Sequence, residues 1–307
     1  MQNPKLYLWY GFLASNLFAY LMIVLTRELV LKQEGTAGII TTADFIFLPI
    51  LMGIICAYFW KDLGLRTSGR LIYTTYNFIF VLFVSAKFMG EGIICLIIVS
   101  PLLIAFMMLG VWIGKVMFEK GKRTLNIGIV SILFLVILVD PLTQHNNQHM
   151  VTDTMLIKAS PQQIWEHVVA FKPIEAKSKY WLFSIGMPQP MESTVDAYAL
   201  GANRKCIFSN GMVFDEKITV FEPNVNLTFT IVKQPEDPEI MGHIQIQEGQ
   251  FLLHDNGDGT TTLTGNSRYE LYVYPAWYYN IWAKSITRNV HLRAMEHIKK
   301  LSEAAAS

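Results

Sequence analysis

The spacing of apolar residues changes once along the chain. Before residue 140 they come in unbroken runs, and after residue 150 they alternate or recur every three or four positions. Five runs stand out, at 6–26, 43–60, 71–86, 93–114 and 125–139. A helix needs about 20 mainly apolar residues to cross the hydrocarbon core of a bilayer, so these runs predict a membrane domain over 1–140 with about five transmembrane helices. The first run is too long, and too poor in N-terminal positive charge, for a cleaved signal peptide, and reads as a retained helix. The second ends in Tyr58, Phe59 and Trp60 followed by Lys61, the aromatic-then-basic ending of a span at the membrane–water interface.

From Val151 the period drops to two. Met155, Ile157 and Ala159 share one face, which predicts a strand. Ser160 then caps a helix that opens at Pro161 and buries Ile164, Trp165 and Val168. Six strand-like runs follow, at 194–200, 204–209, 213–221, 227–233, 243–254 and 260–273. Asn210-Gly211, Glu222-Pro223-Asn224 and the Asp-Asn-Gly-Asp-Gly loop at 255–259 supply turns between them. Long runs so closely connected predict a bent antiparallel sheet. The chain closes on one long amphipathic helix over 274–303, whose stripe Trp282, Ile286, Val290, Ala294, Ile298 and Leu301 steps by three and four. Lys284, Arg288, Glu296, Lys299 and Glu303 line its other side, so it is too polar to span a membrane and its stripe needs a protein surface, which the sheet provides. The fold class is therefore α+β: a multi-span α-helical membrane domain, a polar linker at 141–150, and a sheet-and-helix domain over 151–305.

Charge separates the same halves. Residues 1–149 carry 11 Lys and Arg against 7 Asp and Glu, and residues 150–307 carry 14 against 17. The net charge of +1 thus conceals a basic half and a mildly acidic one, and neither holds the basic stripe that nucleic-acid binding requires. Lys5, Lys61, Arg66, Arg70, Lys115, Lys120, Lys122 and Arg123 fall in one set of alternate loops, and Arg27, Lys32 and Lys87 in the other. The positive-inside rule then places the N-terminus in the cytoplasm and, after five spans, the second domain outside, as in a multi-pass protein of a bacterial-type inner membrane. Three cysteines build no disulfide framework, so the fold depends on burial.

The order of strand, short helices, antiparallel strands and long final helix resembles the START-like, or SRPBCC, superfamily of polyketide cyclases, aromatases and lipid-transfer domains. The resemblance rests on Ile157-Lys158-Ala159-Ser160-Pro161-Gln162-Gln163-Ile164-Trp165, on the Asp-Gly-Thr turn at 258–260 and on the closing helix, and it covers residues 150–305 only. It implies a helix-grip fold, with the bent sheet wrapped around the C-terminal helix and an apolar cavity between them. Large side chains are numerous in this half, and Trp181, Phe183, Tyr269, Tyr272, Tyr278, Trp282 and Ile286, with Arg204 for a polar head group, are the candidate ligand-binding residues.

Motifs for chemistry are sparse. No phosphate-binding Gly-rich loop, Gly-x-Ser-x-Gly elbow or His-Glu-x-x-His helix occurs, so no catalytic residue and no cofactor is assigned. His145 and His149 share a helical spacing but lack a glutamate and a third ligand, which argues against a metal site. Asp44, Lys87 and Glu91 stand at the edges of apolar runs, where charged side chains reach interfacial water. The pattern points to a binding protein, rather than an enzyme, for a lipid or other apolar ligand, with the bilayer as its second partner. A cyclase-like enzyme acting on a membrane-soluble substrate and a ligand sensor coupled to the helices are the alternatives. Mutually hydrogen-bonded polar groups facing the pocket would favour the enzyme.

Overall fold

A computed structural model describes residues 4–30, 43–88, 92–118, 148–237, 240, 243–273 and 275–306. The chain divides into two compact units, the second beginning at Asn147. In the first, helix α1 spans Pro4–Val30, a π-helical turn at Ala43–Phe47 leads into α2 (Leu48–Trp60), and α3 (Thr67–Phe88) and α4 (Ile93–Phe118) follow. Leu6–Val24, Thr67–Phe88 and Ile93–Phe118 are long and apolar enough to cross a membrane, whereas the apolar stretch at Phe45–Trp60 is shorter. The fifth run, 125–139, and most of the linker at 141–150 lie outside the described residues.

Glycine lets α2 and α4 meet at backbone distance. A Cβ added to Gly53 would strike the Met107 carbonyl, and one on Gly110 would strike the Ile50 carbonyl. Small residues on facing helices replace the hydrophobic drive that is missing among apolar surroundings. Side-chain hydrogen bonds join α1, α2 and α3: Asn77 donates to Ser15 at 3.0 Å and to the Cys56 sulfur at 3.3 Å, and Asn16 donates to Asn77 at 2.6 Å. Asn77 and Ser15 are wholly buried, so each bond satisfies a group that would otherwise be costly in that setting.

The second unit is a curled seven-stranded antiparallel sheet and a long helix. Its elements are β1 (Gln148–Ile157), α5 (Pro161–Val169), α6 (Trp181–Ser184), β2 (Pro190–Val195), β3 (Asn203–Phe208), β4 (Val213–Glu222), β5 (Asn226–Lys233), β6 (Ile244–Asp255), β7 (Thr261–Leu271) and α7 (Ala276–Ala306). Strand order is β1-β7-β6-β5-β4-β3-β2. Register shifts in the pairings of β2, β4 and β6 mark bulges, which bend and twist the sheet. Inside the curl, Ile157, Ile164, Val168, Leu227, Leu263, Met295 and Ile298 are buried with almost no exposure and form the core. Helix α5 begins as its sequence dictates: the Gln163 side-chain oxygen accepts from the Ser160 backbone at 3.0 Å, and Pro161 occupies the first turn. Gly211, Gly257, Gly259 and Asn224 have positive φ at the expected turns.

Two expectations need correction. Strand β2 ends at Val195 and not near residue 200, because Asp196 closes a turn by accepting from the Asn203 backbone at 2.9 Å and its side chain at 2.7 Å. On α7 the buried line runs Ala283, Thr287, His291, Ala294, Met295, Ile298 and Ser302, while Trp282 and Ile281 face outward or stand half-exposed. The first half of the expected stripe is displaced by one residue, or about 100° of helix. Apolarity alone misses the contact face because Thr287 and His291 are buried on it.

Candidate functional site

The alternation that turns Met155 and Ile157 inward on β1 turns Asp153 inward as well, and this carboxylate is 7% exposed. On β7, Leu263, Gly265, Ser267, Tyr269 and Leu271 share the same inner face, with Asp153 opposite Gly265 and Val151 opposite Ser267. Helix α7 lays His291 across both strands. Its Nδ1 lies 3.1 Å from Asp153 Oδ2, and its Nε2 lies 2.7 Å from Ser267 Oγ. Arg288 Nε meets the other Asp153 oxygen at 3.2 Å. Gly265 makes room, since a Cβ there would stand 3.1 Å from the Met295 sulfur and 3.8 Å from His291 Cγ.

Protonation follows from this geometry. Burial lowers the His291 pKa against the opposing pull of Asp153, which favours a neutral ring. An ionised carboxylate only accepts, so Nδ1 carries the ring proton and Nε2 accepts from the Ser267 hydroxyl. The three groups therefore form one directed chain from Ser267 through His291 to Asp153. Ser267 is the half-exposed member, and Cys206, Ile231, Ile244 and Ile246, also on the inner face, are likewise only partly buried. A hydroxyl with a base behind it thus shares the inner face with partly buried Ile231, Ile244 and Ile246 and with the buried Arg204–Glu216 pair. On β3, four strands from Ser267, burial pushes the Cys206 thiol up to about 12, which keeps it protonated and unreactive.

The candidate binding residues fall in separate settings. Trp181 and Trp282 meet edge to face with centroids 6.4 Å apart, Tyr278 lies one turn earlier on α7, and Ile286 is half-buried one turn later. Phe183 is buried and stacks edge-on with Tyr180. Tyr269 is 1% exposed and donates to Asn280 at 2.8 Å, and burial pushes its hydroxyl up to about 12. Tyr272 donates to Gln245 at 2.7 Å on the exposed side. Arg204 stands apart from the aromatic group. Its guanidinium bonds Glu216 and, at 3.0 Å, the Val169 carbonyl at the end of α5, and it lies 4.6 Å over the Phe229 ring. Burial raises the Glu216 pKa in spite of that pairing.

The polar chain has weak sequence signals. Asp153 is two residues before Met155 on an alternating strand, and His291 continues the spacing 287–291–294–298, yet both patterns require a buried polar group to be read as core. On the outer face, Thr194, Asn203, Lys205, Asp215 and Val232 surround a depression of about 460 Å³ whose rim carries the Lys205–Asp215 pair at 3.5 Å. His149 is on β1 with its ring 5.6 Å from Tyr269, and His145 lies outside the described residues. Among the described residues, no three His, Cys, Asp or Glu side chains gather as a metal site.

No family model matches the chain, and no curated protein matches it. Solved structures with some similarity include XoxI from Bacillus cereus, at 14% identity over 50% of this chain and 94% of that one, with a TM-score of 0.36. MLL2253 from Mesorhizobium loti has 17% identity over 50% and 96%, with a TM-score of 0.33. Norcoclaurine synthase from Thalictrum flavum, in complex with dopamine and hydroxybenzaldehyde, has 12% identity over 50% and 86%, with a TM-score of 0.35.

Proposed function

We propose that the chain is a membrane-attached binding protein for an apolar ligand that carries one polar group. The ligand lies against the inner face of the sheet beside α7, and the Ser267 hydroxyl engages its polar end. The observation that supports this reading is the Asp153–His291–Ser267 chain on an inner face that also carries the partly buried Ile231, Ile244 and Ile246. A fixed polar group on an apolar wall orients a ligand without adding much to its affinity. Helices long enough to cross a bilayer in the same chain supply the attachment and hold the site near a source of apolar molecules.

The full chain, purified in nanodiscs, tests this by mass spectrometry of what it retains. Wild type is expected to keep a near-stoichiometric lipid or isoprenoid that Ile231→Trp, which fills the inner surface, excludes. Equal retention by both proteins would refute the reading, because the molecule would then be held elsewhere.

The same chain of groups favours a second reading, acyl transfer to Ser267. As the Oγ–carbonyl bond forms, the serine proton passes to His291 Nε2 and from there to the leaving alcohol; water then repeats the exchange and releases the acid. The Ser267 backbone lies between β1 and β6 in the ladder, so the nucleophile's own strand offers no free N–H for the oxyanion. Activation by the base alone is worth about 10²–10⁴-fold, which predicts slow turnover. A fluorophosphonate probe is expected to add to Ser267 in wild type and not in His291→Gln. An unmodified Ser267 peptide after prolonged exposure would leave binding as the role of the site.

A further inference from the structure

The end of the second unit where the chain enters it carries an unpartnered aromatic face. Trp181 and Ile185 at α6 are 49% and 48% exposed, and Trp277 and Ile281 in the first turns of α7 are 68% and 63% exposed. The two pieces are joined by the Trp181–Trp282 ring contact and by the Tyr180 hydroxyl, 3.0 Å from Ser285 Oγ, so their side chains form one patch. Lys177, Lys179 and Lys284 are exposed beside it.

Strand register fixes which end this is. Gln148, the first residue of β1, pairs with Glu270 at the far end of β7, and α7 starts at Ala276, a few residues on. The entry point of the chain and the start of α7 therefore share one end of the sheet. The hairpin between β6 and β7 lies at the other, beyond the Asp255–Thr261 pair. The four apolar helices among the described residues precede Gln148 in sequence, so the chain that connects them to the second unit enters it at the aromatic end.

We propose that this face docks on the surface of the bilayer that the apolar helices occupy. Tryptophan prefers the headgroup level, where its ring is apolar and its N–H stays wet, and isoleucine adds apolar area just below. The three lysines suit anionic headgroups. The inference rests on the membrane attachment proposed above and is independent of any ligand at Ser267.

The test compares the full chain with its Trp181→Phe/Trp277→Phe variant in nanodiscs of phosphatidylcholine and phosphatidylglycerol, with and without acyl-chain bromination. Both positions are exposed, and phenylalanine preserves the surrounding packing. Wild-type minus variant emission isolates the two indoles and is expected to fall at least about two-fold on bromination, as for rings at the interface. A difference signal indifferent to bromine and quenched by acrylamide would put the face in water. A signal protected from both quenchers would mean a protein cover. Either result overturns the proposal. A wild type that retains no ligand while its bromine quenching is intact would count against the binding reading alone.

Discussion

His291 couples the chemistry of the inner face to the stability of the fold. Its neutral form is favoured by burial, so the folded pKa lies below the ordinary value of 6.5. Below pH 6.5 the unfolded chain takes up a proton that the folded chain resists. The stability contribution is therefore complete above 6.5 and is lost as pH falls through the window down to the folded pKa. Burial lowers the pKa of His167 and His297 too, and their contributions have the same sign. Melting temperature is expected to fall from pH 7 to pH 5 and to fall less steeply in His291→Gln. An identical slope would mean that other groups carry the acid sensitivity. At neutral pH, His291→Leu leaves the Asp153–Arg288 ion pair in place but removes the buried His291–Asp153 hydrogen bond, at a cost of about 1–3 kcal/mol.

At the scale of the element, strands and turns were readable because each residue votes independently for them. Alternation marked β1, strand-like runs marked β3–β7, and Gly257, Gly259 and Asn224 marked turns through their backbone preference. The face of α7 was less legible. A helix position is assigned to the core by apolarity, and His291 belongs there because Asp153 and Ser267, distant in sequence, complete its hydrogen bonds. The aromatic candidates showed the opposite failure, since ring size does not distinguish Tyr269, which is core, from Trp181, which is exposed. Packing across the sheet gives its own prediction. A Cβ on Gly249 would strike the Phe229 ring, over which the Arg204 guanidinium sits. Gly249→Ala is expected to destabilise by about 1–3 kcal/mol, the usual cost of overpacking, with a lower melting temperature reported by emission of the buried Trp165. An unchanged melt would show that Phe229 has room to turn.

At the scale of the whole molecule, composition divides the chain near the point where its two compact units part. The expected helices at 6–26, 71–86 and 93–114 lie within α1, α3 and α4. Contiguous apolar runs disclose such helices, but they are silent on how α2 and α4 meet, which depends on the three glycines Gly53, Gly110 and Gly114. The chain connection between the two units has one mechanical consequence. Strand β1 is an edge strand, paired among the described strands with β7, and its first residue follows the segment that leads from the apolar helices. A pull on that segment away from the sheet loads the Gln148–Glu270 rung first and opens the ladder one rung at a time, as a zip opens. Asp153 stands five residues in, so peeling would withdraw the carboxylate from His291 before it reached the Ile157 core. Tension and the polarity of the inner face are thus connected through half of one strand.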